Sequence, residues 1–196
     1  KDIQRKKILF ASSVGMNPDF YFGSIIAKSF QNKGYKVKTL ICDGKMFACY
    51  NCKFSDFYSE KNINKLNRSN SKDLCNICYN WGKKITDNGE LSTYKYSDFF
   101  KIDDLETIFK KIDKIKELSR LKNFYYKSIH IGNHSFAAAV RFYANPNLIT
   151  EKGSINLLKS YIKSSIITIE VLKNVNKLYN FDYLLIDHGI YVPQGV

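Results

Sequence analysis

Two C-x-x-C pairs, Cys49-Tyr-Asn-Cys52 and Cys75-Asn-Ile-Cys78, stand 22 residues apart in this chain of 196 residues. Each pair offers two thiolates to one ion at a Zn–S distance of about 2.3 Å, and together they close a tetrahedral four-cysteine site that has no open position and is therefore structural. The separation is slightly longer than the roughly 15–20 residues usual for zinc motifs. Between the pairs, Ser59–Lys72 is rich in Asn, Lys and Ser and almost free of apolar residues. Such a loop cannot pack itself, and ligation would anchor both of its ends. The same four thiolates would serve an iron–sulfur cluster, or disulfides in a secreted domain. Cys42 closes an apolar run and reads as a core thiol.

Three further groups have chemistry-bearing residues at telling places. Ser12-Ser13-Val14-Gly15-Met16-Asn17 follows an apolar run and precedes a helical pattern, so its backbone N–H groups and the helix N-terminus would face a ligand such as an anion. Asp43-Gly44 is a turn pair at the end of a second run. Asp187-His188-Gly189 follows the last apolar run, Tyr183–Ile186, where the His188 imidazole suits a general base or a hydroxyl ligand. Adjacent strand residues point to opposite faces, so Asp187 and His188 do not form a pair by adjacency alone. His130 and His134 lack further clustered metal ligands, and Arg141 either binds phosphate or ends the apolar helix face that runs from Phe136 to Val140.

These residues require a frame. Lys7–Ser13 reads as a strand buried on both faces of a parallel sheet. Asn17-Pro18-Asp19 supplies an N-cap, a first-turn proline and a first-turn acid, and Phe22, Ile26 and Phe30 follow at helical spacing up to Gly34. Tyr35–Cys42 is the next strand, which makes a right-handed βαβ unit. Leu74–Asn88 reads as helix, Leu91–Tyr96 as strand and Asp103–Leu121 as a helix with Leu105, Ile108, Ile112, Ile115 and Leu118 on one stripe. Gly153–Asn180 reads as a long amphipathic helix leading into a buried last strand within Phe181–Asp187. The expected fold is a single α/β, Rossmann-like domain over residues 1–196, its sheet mostly parallel and flanked by helices, with a metal-binding insertion at about 45–80.

With 44% apolar, 15% aromatic and 25% charged residues the chain is globular in composition. It has no secretory h-region behind its basic first residues and no run long enough to span a bilayer, so the expected setting is cytoplasmic. It begins at Lys1 with no initiator Met, as a fragment or processed product would. The net charge of +13 favours anionic partners, whether nucleic acid, phosphorylated molecules or peripheral contact with an anionic membrane at its inner face. Its arginines are few, namely Arg5, Arg68, Arg120 and Arg141, and base readout and bidentate phosphate grip belong to Arg. A zinc protein that binds nucleic acid is therefore the weaker alternative.

Four segments taken in order, Lys7-Ile-Leu-Phe-Ala-Ser-Ser, Leu40-Ile-Cys-Asp-Gly44 with its downstream cysteine pairs, Cys78-Tyr-Asn-Trp-Gly82 and Asp187-His-Gly-Ile-Tyr-Val-Pro193, carry a resemblance. Together they resemble the N-terminal half of bacterial capsule and surface-polysaccharide biosynthesis glycosyltransferases of GT-B architecture. The resemblance implies two Rossmann-like domains with a cleft between them, of which this chain is the acceptor-binding one and a C-terminal domain holds the nucleotide-sugar donor. It implies a glycan or lipid-linked acceptor; on the residue reading above, Ser13, Gly15, Asn17, Asp43, Gly44, Arg141, Gly189 and Tyr191 would line the acceptor side and His188 would be the catalytic residue. At Gln194 the chain departs from the Trp expected in that segment.

Overall fold

The structure, a computed structural model, describes residues 6–49 and 72–186, with the backbone alone of residues 72 and 73. In chain order the elements are β1 (Lys7–Ser12), α1 (Pro18–Asn32), β2 (Lys36–Ile41), α2 (Lys72–Asn88) and β3 (Ser92–Lys95). They continue with α3 (Glu106–Asp113), α4 (Leu118–Lys122), α5 (Ile131–Tyr143), α6 (Ser154–Tyr179) and β4 (Tyr183–Leu185). The described residues divide into two compact units, one of residues 6–45, 72–99 and 171–186 and the other of residues 46–49 and 100–170.

The first unit is an α/β layer built on a parallel sheet of strand order β3-β2-β1-β4. β1 is interior, with Phe10 in register with Thr39 on one side and Leu185 on the other. Side chains alternate across the sheet. Ile8, Phe10, Val37 and Ile41 form one apolar cluster with Phe20 and Ala27 of α1, and Tyr79 and Ile85 of α2 pack against it. Tyr94 stands in register with Leu40, and its ring stacks at 4.9 Å on that of Tyr179 at the end of α6. Burial first, then a hydrogen bond with Tyr179, pushes the Tyr94 hydroxyl above its ordinary pKa. Asn174 of α6 donates to the Phe99 carbonyl at 2.8 Å. Helices thus flank the sheet on both faces, as a Rossmann-like arrangement requires.

α1 begins where its sequence signals place it, with Asn17 as N-cap and Pro18 in the first turn. Its orientation differs from the expected one. The buried face is Phe20, Gly23, Ser24 and Ala27, whereas Phe22 is 62% and Ile26 46% exposed. The cause is steric: a Cβ on Gly23 would lie 2.5 Å from the Phe10 ring. The small side of α1 therefore lies flat on that ring, and its larger apolar residues turn outward. β4 differs too, since Tyr183 and Leu184 are about half exposed. It pairs with β1 alone, as an edge strand. Asp182 fixes its start by accepting from the Lys7 amide at 2.7 Å and donating its own amide to the Lys7 carbonyl at 3.0 Å.

The second unit is helical. The stripe read as one helix over 103–121 is divided into a 3-10 turn at Asp103–Leu105, then α3 and α4. Lys159 Nζ reaches the Asp113 carbonyl at 2.8 Å and Lys163 pairs with its carboxylate at 2.7 Å. α3 ends at Asp113 with that residue's carbonyl satisfied from α6. Hydroxyls replace bulk along α6, where Ser164 and Thr168 each donate back to the carbonyl four residues earlier. Ser164 also accepts from the Ala48 amide at 2.9 Å, which anchors residues 46–49 beside the edge-to-face rings of Phe47 and Phe109. Among the described residues no helix is long and apolar enough to cross a membrane.

The rotation of α1 separates two phenylalanines that the sequence pattern treats alike. Phe10→Ala is expected to lower unfolding stability by about 3–5 kcal/mol as a buried ring is lost, and Phe22→Ala by no more than about 0.5 kcal/mol. Urea denaturation of both variants checks this, and equal losses would contradict the packing.

Candidate functional site

Parallel strands bring their carboxyl ends to one edge, and open α/β sheets bind ligands there, at the point where the strand order reverses. β1 leads through α1 to β2 on one side while β4 lies on its other side, so the reversal falls beside the end of β1. Ser13 is the first residue past that end. It is 5% exposed, and its Oγ is buried with no hydrogen-bond partner among the described residues. A buried hydroxyl left in that state costs about 1–3 kcal/mol.

The rest of the loop is occupied by the protein itself. A Cβ on Gly15 would lie 2.4 Å from the Cys78 carbonyl oxygen and 2.9 Å from Gly82 Cα, and one on Gly82 would lie 2.8 Å from Gly15 Cα. The absent side chain at Gly15 therefore makes room for α2, whose backbone crosses the loop at van der Waals distance. Asn17 Oδ1 accepts from the Asp19 amide at 3.2 Å. With Pro18 lacking an N–H and Asp19 adding a carboxylate to the first turn, the start of α1 is capped from within.

At the end of β2, Asp43 accepts from the Ser97 amide at 3.2 Å and from the Ser97 hydroxyl at 2.5 Å. Its carboxylate ties the end of β2 to the segment after β3. Gly44 has φ +78°, and a Cβ there would stand 3.0 Å from Cys75 Cβ. That is one of the few positions where glycine is demanded twice, by conformation and by space. Cys75 and Cys78, three apart on α2, thus lie against the turns that follow β2 and β1, and Cys78 is buried.

The remaining expected residues divide as follows. His188, Gly189, Tyr191 and Cys52 lie outside the described residues. Cys49 belongs to the second unit and is half-buried. Arg141 is also in the second unit, in the last turn of α5, where a cation complements the negative helix end. His130 Nε2 lies 3.0 Å from the Lys122 carbonyl oxygen, and its ring stacks on Tyr125 at 4.3 Å. Among the described residues no group of three or more His, Cys, Asp or Glu is placed to hold a metal ion. Sequence reading passed over Ser97 and the contact role of Gly82. The signal for the second was present in the motif Cys78-Tyr-Asn-Trp-Gly82, a glycine inside a helix, which calls for a packing reason.

Comparison with protein-family models, with curated proteins and with solved structures finds no match to this chain. If Asp43 clasps Ser97 in this way, Asp43→Ala and Ser97→Ala are expected each to destabilise by about 0.5–1.5 kcal/mol and to be non-additive in a double-mutant cycle. Additive losses would mean that the two side chains act apart.

Proposed function

We propose that this chain is the acceptor-side part of a glycosyltransferase of surface-polysaccharide biosynthesis, with the nucleotide-sugar donor held by a further α/β domain. The observation that carries the reading is the Ser13 hydroxyl, buried and without a hydrogen-bond partner among the described residues, beside the point where the strand order reverses. A sugar hydroxyl both donates and accepts, and it would relieve that penalty at the sheet edge where such folds take ligands. In this reading His188 is the general base toward the acceptor hydroxyl, and Gly189 and Tyr191 belong to the acceptor-binding set. The motifs that resemble the polysaccharide glycosyltransferases supply the substrate class. Cys49, Cys52, Cys75 and Cys78 hold a structural zinc ion, and an iron–sulfur cluster is the alternative for the same ligands. Elemental analysis is expected to give about one zinc per chain, lost in Cys75→Ser. A chain without zinc, or one carrying iron and sulfide, contradicts that assignment.

Saturation-transfer NMR against bacterial surface oligosaccharides and against nucleotide sugars tests the main reading. The oligosaccharides are expected to bind and the nucleotide sugars not. Ser13→Ala should weaken oligosaccharide binding about tenfold or more, as expected when a hydrogen bond to a substrate hydroxyl is lost. The same change should raise Tm by about 2–4 °C for each kcal/mol of relieved penalty. Nucleotide-sugar binding without oligosaccharide binding, or unaltered binding in Ser13→Ala with a lowered Tm, would overturn the proposal.

A further inference from the structure

The helical unit contains a cleft of about 570 Å³, inside the roughly 300–1,000 Å³ range of small-molecule sites. Its walls are apolar: Leu118, Phe136, Leu148, Ile149 and Ile155 line it. Leu148 is 1% exposed and forms its floor, while Ile149, its neighbour in sequence, is held 80% exposed at the lip. A large aliphatic side chain kept in water by mere looseness would call for no explanation, but this segment is braced. Asn145 Oδ1 accepts from the Asn147 amide at 2.9 Å, its Nδ2 donates to Glu151 at 2.6 Å, and Thr150 Oγ1 donates to the Asn147 carbonyl at 2.9 Å. The lip is therefore preformed.

The charges in the cleft are unequal. Its one acid, Glu117, faces Arg120 at 3.9 Å. Its one base, Lys122, lies over the Phe136 ring with Nζ 4.5 Å from the centroid, and no carboxylate among the described residues forms an ion pair with it. Ser154 and Ile155, which also line the cleft, begin the 26-residue helix α6. A helix start is its positive end, where first-turn amides lack intrahelical acceptors. A cleft with apolar walls and an ammonium group among its lining is complementary to a molecule with an apolar chain and a negative head.

We propose that this cleft binds a single-chain anionic amphiphile, an alkyl or isoprenoid chain ending in a phosphate or carboxylate, with the chain along Phe136, Leu148, Ile149 and Ile155 and the head at Lys122. The site lies wholly in the second unit and does not depend on the transferase reading. Calorimetric titration with octyl and decyl phosphate below their aggregation limits, alongside inorganic phosphate and decanol, tests it. Affinity should rise about fourfold per added methylene, the equivalent of ~0.8 kcal/mol each, and inorganic phosphate alone should give no binding. Lys122→Met should weaken decyl phosphate several-fold and leave decanol unchanged, whereas Ile149→Asp should weaken both. Both residues are exposed, so neither variant endangers the fold. Affinity independent of chain length, equal binding of inorganic phosphate, wild-type binding by both variants, or binding to phosphatidic acid vesicles without binding to the monomeric phosphates would each overturn the proposal.

Discussion

The sheet edge depends on one steric constraint, the contact between Gly15 and Gly82. Two backbones meet there with no room for a Cβ on either side, so the loop after β1 and the middle of α2 are locked face to face. Every larger residue would push α2 outward, because the atoms in the way are main-chain atoms and cannot rotate aside. From that contact follows the position of Cys78 against the loop after β1. The position of Cys75, one turn earlier, against Gly44 follows as well.

A second small-residue contact works in the same way on α1. Gly23 accepts the Phe10 ring, and the helix settles on Gly23, Ser24 and Ala27 with Phe20 beside them. The two glycine contacts together press α1 and α2 onto one face of the sheet. The strand order then leaves the end of β1 as the place where neighbouring connections diverge. Asn17, Asp43 and Gly15 all have protein partners there, in Asp19, Ser97 and α2. Ser13 is left with a polar atom that nothing among the described residues satisfies. Native proteins seldom retain such a group without a reason.

Much of the frame was legible in the sequence. The apolar runs at Lys7–Ser13 and Tyr35–Cys42 and the Asn-Pro-Asp start of α1 mark elements that the structure contains within a residue or two, because runs and caps are local signals. The rotation of α1 was not legible. Helical spacing locates a stripe but does not say whether a sheet will prefer the large residues or the gap that Gly23 provides. The division of 103–121 falls at Asp113, which Lys159 and Lys163, some 50 residues away in sequence, hold by hydrogen bonds, and no local pattern contains them. Likewise Asp43 reads equally well as a ligand-binding acid or a clasp until Ser97 is placed beside it. The exposure of β4 follows from its place at the edge of the sheet, a property of strand order rather than of its own apolar residues.

The Gly15–Gly82 contact is what holds α2 to the carboxyl edge of the sheet, and native-state hydrogen exchange on Gly82→Ala measures this directly. Amides from Tyr79 to Ile85 and in the loop after β1 are expected to lose much of their protection, while those of β1 and β2 keep theirs, because the sheet retains its own apolar cluster. Unchanged protection along α2 in that variant would contradict the account.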